Sequence, residues 1–208
     1  MTPWRPRLGI LLSGRGSNFE AIAANVLAGS LACEIGFVFS NKSDAPGLTR
    51  ARALGLPCGS IPSAGIDRTI FDEQVAKLLK ENGVDLVCLA GYMRLLSGGF
   101  VAQFPGRILN IHPSLLPAFP GLDAQKQALD YGVKITGCTV HFVDETLDSG
   151  PVILQSAVPV FDADSVDTLS ARILAQEHAS YPKAIQLMVE GRVTVEGRSV
   201  RIRGDEND

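Results

Sequence analysis

Short apolar runs alternate with amphipathic stretches along most of the chain. The runs RLGILLS and DLVCLA, at residues 7–13 and 85–90, are almost continuously apolar, which is typical of strands in a sheet covered on both faces. Residues 67–81 instead repeat their apolar positions at the spacing of a helix. This alternation predicts an α/β fold, with a Rossmann-like, mostly parallel twisted sheet and helices on both faces.

The first half of the chain is predicted to hold five strands and three helices. The ligands of such a sheet bind at the carboxyl ends of its strands. We expect strands at 7–13, 34–40, 58–61, 85–90 and 107–111, and helices at 17–27, 45–54 and 67–81.

The pattern changes in the second half, where an antiparallel excursion is predicted. Two alternating segments flank the turn LDSG, as the strands of a hairpin do, and a second hairpin is expected around Gly197. The expected elements are strands at 135–143 and 152–160, helices at 123–131 and 165–190 with Asp164 or Ser165 as N-cap, and hairpin strands at 193–196 and 199–202.

The chain of 208 residues fits one domain, because no repeat or linker divides it. We expect a single domain over 1–208. It would have an N-terminal half at about 1–105, a second half at about 106–190, and a C-terminal hairpin with a flexible tail at 191–208.

The composition of the chain mainly argues against certain classes of protein and of site. The net charge of −3 and the scattered positive residues give no sign of a nucleic-acid surface. No run approaches the roughly 18 apolar residues that span a bilayer, and the first apolar run is too short for a signal peptide. The four cysteines form no CxxC pair, which favours buried, reduced thiols over disulfides or structural zinc. We therefore expect a soluble, cytoplasmic protein without nucleic-acid or membrane partners.

The loop SGRGSN, between the first strand and the first helix, is a candidate anion site. Its glycines let backbone amides turn toward an anion at a helix N-terminus. A dinucleotide site fits badly, because Phe19 follows Asn18 where the third glycine would stand, and no carboxylate ends the second strand. The loop favours a single phosphate, and a plain strand-to-helix turn stays open.

The segment LNIHPSLLPAFPG places two polar side chains at a strand end. Asn110 and His112 alternate with apolar residues and so project from the same side. Pro113 and Pro117 stiffen the backbone that follows, as a loop that holds a catalytic group requires. These residues alone leave two readings equally open, a hydrogen-bonded core histidine and a histidine that acts in catalysis.

The other polar features carry less information by themselves. Acidic residues in a turn such as DETLDSG are usually only solvated, and this one lacks the EF-hand pattern. His141 and His178 are expected to be structural. No GxSxG segment is present, which argues against a serine hydrolase.

Six segments, taken together and in order, resemble one family, the folate-dependent phosphoribosylglycinamide formyltransferases. The resemblance covers about residues 7–190 and is far more specific than any one segment. It implies formyl transfer from the co-substrate 10-formyltetrahydrofolate to the amine of glycinamide ribonucleotide, in purine synthesis and without a metal. The segments are LLSGRGSN, FSNKSDAPGLTRA, LAGYMRLLS, NIHPSLLP, GCTVHFVDETLDSGPVILQ and QEHASYP.

The resemblance implies three catalytic residues, Asn110, His112 and Asp148. Asn110 would donate to the oxyanion of a tetrahedral intermediate. Asp148 would hold His112 by its charge or accept the proton of the amine through water. Whether His112 donates to the oxyanion or acts as general acid toward the folate nitrogen stays open.

The resemblance also places the substrates, with the phosphate-binding half at about 1–105 and the folate and catalytic half at about 106–190. His141 becomes a plausible neighbour of Asp148, although burial explains it equally well. The implied nucleotide-binding residues are Gly16, Ser17, Asn18 and Glu177, and the implied folate-binding residues are Arg68, Met93, Arg94, Leu95, Leu96 and Asn110.

Some positions depart from the family pattern, and other functions remain to be weighed. Asp123 and Gln125 stand where many relatives have histidine or another polar residue, and Arg15 is an added cation. The rivals are a methionyl-tRNA formyltransferase, a formyltetrahydrofolate hydrolase, a sugar-nucleotide formyltransferase and a catalytically dead binding module. Pro113 after His112 separates the chain from the tRNA-modifying relatives. A monomer and a homodimer are both compatible with the sequence.

Overall fold

A computed structural model describes residues 5–204 of the chain. The described residues fall into two compact units, one that ends at Leu109 and one that begins at Asn110. The prediction of one domain over 1–208 stays a prediction. Residues 205–208, which make up most of the predicted flexible tail, lie outside the described residues.

The first unit is built on parallel strands. The elements are β1 (Arg7–Leu12), α1 (Ser17–Leu27), β2 (Glu34–Ser40), α2 (Pro46–Ala53), β3 (Cys58–Ser60), α3 (Arg68–Glu81), β4 (Leu86–Leu89) and α4 (Gly98–Val101). Strand β1 pairs with β2 and with β4, and β2 also pairs with β3, each in parallel. The short helix α4 was not predicted, since four residues are too few to show a helical period.

The apolar runs form the core of this unit, as their composition predicted. Leu8, Ile10 and Leu11 of β1 have no exposed surface, which confirms a strand buried on both faces. Helix α3 begins where Asp67 caps it, because the Asp67 carboxylate accepts the N–H groups of Thr69 and Ile70.

The second unit contains the antiparallel excursion. Strands β6 and β7 pair antiparallel, with an irregular register between Val140 and His141, and β8 and β9 form a separate hairpin. Helix α6 begins at a capping box of Ser165 and Thr168, which confirms Ser165 as N-cap. The elements are α5 (Ala124–Tyr131), β6 (Ile135–Phe142), β7 (Val152–Pro159), α6 (Val166–Val189), β8 (Val193–Glu196) and β9 (Ser199–Ile202).

Strand β5 (Ile108–His112) contains the point at which the two units divide. The strand order is β3-β2-β1-β4-β5-β6-β7, with β6 and β7 as the antiparallel pair. The predicted fold class, a mostly parallel α/β sheet with an antiparallel excursion, is therefore confirmed. Within residues 5–204, no helix has the length and apolar character needed to cross a membrane.

Candidate active site

The centre of the site is a buried pair, His112 and Asp148. Nδ1 of His112 lies 3.3 Å from Oδ2 of Asp148, and the two side chains are only 6% and 7% exposed. The turn of Asp148 lies tightly against β6, because a Cβ on Gly150 would come within 1.9 Å of the Phe142 carbonyl oxygen. Glycine in LDSG thus brings the carboxylate to a histidine 36 positions earlier in the sequence.

The loop after β5 binds both members of this pair. Nε2 of His112 donates to the carbonyl of Phe119 at 2.8 Å, and the N–H of Gly121 donates to Oδ2 of Asp148 at 2.8 Å. Both ring nitrogens of His112 therefore face oxygen atoms, Nε2 in a hydrogen bond to Phe119 and Nδ1 in a contact of 3.3 Å with Asp148. Phe119 has a φ of 53°, a strained conformation for a bulky residue, and this strain accompanies the placing of its carbonyl against His112.

Side chains of the second unit anchor the start of this loop. The hydroxyl of Thr139 donates to the Ser114 carbonyl at 2.7 Å and accepts the Leu116 N–H at 3.0 Å. Gln155 adds a bond of 2.8 Å from Nε2 to the Leu116 carbonyl. The loop that follows His112 is thus held by hydrogen bonds as well as by its prolines, which reduces the entropy lost when a substrate binds.

Asn110 is oriented by a second histidine. Nδ1 of His141 donates to the Phe142 carbonyl at 2.8 Å, so its Nε2 carries a lone pair. That lone pair faces Nδ2 of Asn110 at 3.2 Å, and Asn110 is the donor. Nε2 of His141 is also 3.8 Å from Oδ1 of Asp148. The amide of Asn110 keeps a second N–H, which is available to a ligand.

Lowering the pH below about 6.5 is expected to reduce the free energy of unfolding through His141. Burial lowers the pKa of the His141 imidazole, although the Phe142 carbonyl and the Asp148 carboxylate act in the opposite direction. The unfolded chain then binds a proton at a pH where the folded chain does not. The contribution of His141 to the free energy of unfolding is complete at a pH above the pKa of the unfolded state, and it declines as the pH falls through that pKa.

Urea unfolding of the wild type and of His141→Gln between about pH 7.5 and 5.5 measures this contribution. The variant should lose less stability over the range. An equal decline in both proteins would show that His141 is not the source of the pH dependence.

The predicted phosphate loop lies in the first unit and ends at the N-terminus of α1. Gly16 is the N-cap, with a φ of 78° and no side-chain capping bond, and it lies at the positive end of the helix dipole. A Cβ on Gly16 would lie 3.2 Å from the Cα of Gly47. Glycine is therefore required both for its conformation and for close packing. Arg15 is exposed.

The predicted folate segment follows β4, also in the first unit. Met93 and Leu95 are largely exposed, whereas the Arg94 guanidinium lies 4.5 Å above the Phe71 ring. The N–H of Met93 donates to the hydroxyl of Ser13, the first residue of the phosphate loop SGRGSN.

The remaining predicted residues occupy separate positions. Arg68 is the exposed first residue of α3, and Glu177 is buried on α6 in the second unit. Asp123 is the exposed N-cap of α5, with a φ of 56°, and Gln125 lies in the first turn of that helix.

The thiols and the acidic groups add no further chemistry to the site. Three of the four free cysteines are buried, and burial raises the pKa of Cys33 and Cys138 to about 11, so neither forms a ready thiolate. Cys58 is only half-buried, which corrects the expectation that all four are buried. Across residues 5–204, no group of three or more His, Cys, Asp or Glu side chains is placed to hold a metal ion.

Sequence reasoning missed the residues that hold His112 and Asp148 through the backbone. Phe119 acts by its carbonyl and Gly121 by its N–H, so neither side chain gives a signal. Gln155 and Thr139 are polar residues on predicted strands, which was the available sign that something near them required hydrogen bonds.

Comparisons with known proteins show which family the chain resembles in sequence and in structure. A sequence profile described as formyl transferase matches residues 7–185. The chain is 43% identical to phosphoribosylglycinamide formyltransferase of Escherichia coli (strain K12), over 94% of this chain and 92% of that protein. The crystal structure of glycinamide ribonucleotide transformylase 1 from Symbiobacterium toebii superposes with a TM-score of 0.93 and 54% identity, covering 95% of this chain and 94% of the other.

A longer relative contains the same region. The chain is 47% identical to the trifunctional purine biosynthetic protein adenosine-3 of Gallus gallus, over 91% of this chain but only 19% of that protein. It thus spans about a fifth of the length of that relative. The chain belongs to the formyl transferase family, and within it to the phosphoribosylglycinamide formyltransferases.

Proposed function

We propose that this chain transfers the formyl group of 10-formyltetrahydrofolate to the amine of glycinamide ribonucleotide, a step of purine synthesis. The products are N-formylglycinamide ribonucleotide and tetrahydrofolate. The observation that carries the proposal is the buried His112–Asp148 pair on the strand end that also presents Asn110, in a chain of this family. These are the groups that acyl transfer to a neutral amine requires.

The reaction passes through a tetrahedral intermediate, and Asn110 stabilises it. The amine nitrogen attacks the formyl carbon, whose oxygen becomes an oxyanion. The second N–H of Asn110 donates to this oxygen, while the first stays on His141. A preorganised donor of this kind contributes about 3 kcal/mol to lowering the barrier. The bond from carbon to the folate nitrogen then breaks, and the amine proton is transferred through the site to that nitrogen.

His112 supplies a proton or a hydrogen bond during this sequence, and Asp148 holds its ring in place. Because Nε2 of His112 is bonded to the Phe119 carbonyl and Nδ1 lies 3.3 Å from the Asp148 carboxylate, a substrate has to displace one of these neighbours. The Phe119 carbonyl is neutral, whereas the Asp148 carboxylate is charged and the stronger partner. We therefore assign Nε2 to the substrate and Nδ1 to Asp148.

The phosphate of glycinamide ribonucleotide is assigned to Gly16, Ser17 and Asn18. The N-cap glycine and the helix N-terminus suit a phosphate, since the helix dipole and the N–H groups of its first turn favour an anion. Glu177 is assigned to the same substrate, and Arg68, Met93, Arg94, Leu95, Leu96 and Asn110 are assigned to the folate.

Gly16→Val is expected to raise the KM for glycinamide ribonucleotide at least about tenfold. A side chain on Gly16 meets Gly47 and Leu12, and valine is poorly tolerated at positive φ. The loop must therefore shift, and the N–H groups at the phosphate shift with it. The KM for 10-formyltetrahydrofolate should change much less. Steady-state kinetics with each substrate varied in turn measures both constants.

Gly14→Ala is the matched control, because a Cβ at Gly14 meets nothing within 4 Å. It should leave both KM values nearly unchanged. Equal increases in the two KM values of Gly16→Val would remove the phosphate from this loop.

The activity itself is tested with purified protein, glycinamide ribonucleotide and 10-formyltetrahydrofolate, by the absorbance of the released folate. Formyl release without the amine substrate would indicate a hydrolase instead. Transfer to the aminoacyl group of a charged tRNA would indicate a tRNA formyltransferase. Binding of the folate without turnover of any kind would indicate a binding module.

We further propose that the substrates are small molecules and that the protein acts in the cytoplasm. Four free thiols and no disulfide among the described residues suit a reducing compartment.

A further inference from the structure

A chain of buried hydrogen bonds crosses three strand ends in the first unit. The hydroxyl of Ser13 donates to Oδ1 of Asn41 at 2.6 Å. The same hydroxyl oxygen accepts the N–H of Met93 at 2.8 Å. Ser13 and Asn41 are 5% and 9% exposed, so solvent competes little for these bonds. Ser13 directly follows β1, Asn41 directly follows β2, and Met93 begins the segment 93–97 that comes after β4.

The direction of these bonds is fixed by chemistry. A backbone N–H can only donate, so Met93 uses a lone pair of Ser13. The Ser13 hydroxyl therefore donates its single proton to the amide oxygen of Asn41. Asn41 therefore determines the orientation in which Ser13 receives Met93. Nδ2 of Asn41 has its own neighbour, the hydroxyl of Ser63 at 3.4 Å.

The segment after β4 is held at two further points. The N–H of Ser97 donates to Oδ2 of the buried Asp72 at 2.6 Å. The Arg94 guanidinium stacks on the ring of Phe71, the residue before Asp72. Residues 93–97 are therefore fixed at both ends by groups from elsewhere in the unit.

This fixed segment nevertheless exposes apolar side chains. Met93 is 63% exposed and Leu95 53% exposed. A rigid backbone that presents apolar side chains to solvent is a preorganised surface for a largely apolar ligand, because the backbone loses little conformational entropy when the ligand binds. The segment FSNKSDAPGLTRA, which contains Asn41, supplies no residue that is assigned to either substrate.

We propose that Asn41 and Ser13 are positioning residues for the folate-binding segment Met93–Leu96. Asn41 orients the Ser13 hydroxyl, and Ser13 holds the backbone of Met93 where the folate binds. Neither side chain needs to touch the folate. This inference rests on the proposed folate role of the segment.

The test compares Ser13→Ala, Asn41→Leu and the double variant with the wild type. Loss of the Ser13 hydroxyl should raise the KM for 10-formyltetrahydrofolate about fivefold, as expected for one hydrogen bond of roughly 1 kcal/mol. Asn41→Leu should raise it less. The double variant should match Ser13→Ala, because Asn41 acts only through Ser13. The KM for glycinamide ribonucleotide should change less than about twofold.

Ser63→Ala is the control, since it removes only the neighbour of Nδ2 of Asn41 and should leave the folate KM unchanged. Amide hydrogen exchange of the free proteins gives a readout without substrates, and exchange at residues 93–97 should accelerate in Ser13→Ala. Thermal unfolding shows that each variant is folded.

Equal increases in both KM values, single effects that multiply in the double variant, or unchanged exchange at Met93 would each overturn the inference. A wild type that neither transfers formyl groups nor binds the folate would overturn the proposed function and the folate role together. The exchange comparison would in that case still decide whether Ser13 and Asn41 hold the segment.

Discussion

Asp148→Asn is expected to lower kcat at least about 100-fold while the protein stays folded, a rise in the barrier of about 2.7 kcal/mol. Asparagine has nearly the same shape, and it tolerates the left-handed backbone that Asp148 adopts at a φ of 48°. It removes the negative charge that lies 3.3 Å from Nδ1 of His112. His112 then loses its charged partner, and the proton or hydrogen bond that the ring supplies to the reaction becomes less available.

Steady-state kinetics at saturating concentrations of both substrates measures this loss. Glu145→Gln is the matched control, because it removes one negative charge from the same turn at an exposed position. It should keep a kcat near that of the wild type. A similar kcat in Asp148→Asn and in the wild type would exclude the carboxylate from the mechanism.

Asn110→Leu is expected to lower kcat by about 100- to 1000-fold, with smaller changes in the two KM values. Leucine fills a similar volume but donates no hydrogen bond. The oxyanion exists only in the intermediate and in the transition states that flank it, so loss of its donor acts mainly on kcat. The same substitution leaves the lone pair on Nε2 of His141 without the Asn110 donor.

His141→Leu separates orientation from chemistry. It keeps the donor of Asn110 and removes only the group that orients it, so kcat should fall by about tenfold, less than in Asn110→Leu. Thermal unfolding of both variants checks that the fold is retained. If Asn110→Leu stays within threefold of the wild-type kcat, or loses less activity than His141→Leu, the oxyanion role of Asn110 is wrong.

Much of the fold is predictable because local patterns repeat over whole elements. The predicted bounds of β2 and α3 match the structure to within a residue, since apolar runs and capping residues mark them. Helix α4, Gly98–Val101, was missed because one turn carries no period. The irregularity between Val140 and His141 was also missed, because it depends on how β6 meets β7.

The residues of the candidate site were likewise predictable only in part from local patterns. Asn110 and His112 are two positions apart on one strand, so alternation alone places them on one face. Asp148 was identified only through the resemblance to a family. His141 was left undecided between burial and function, and its bond to Asn110 gives it an orienting role in addition to its burial.

By itself the sequence determined most of the elements and the class of the sheet. These properties depend on periodicity, caps and turns, which act over a few neighbouring residues. Only the tertiary structure decided which partners the residues of the candidate site have. His112 is bound by a carbonyl seven residues away and a carboxylate 36 residues away, and Met93 by a hydroxyl 80 residues away. Such contacts arise when distant segments pack together. When a backbone N–H or carbonyl makes the contact, the sequence gives no sign of it, because these groups do not depend on the side chain.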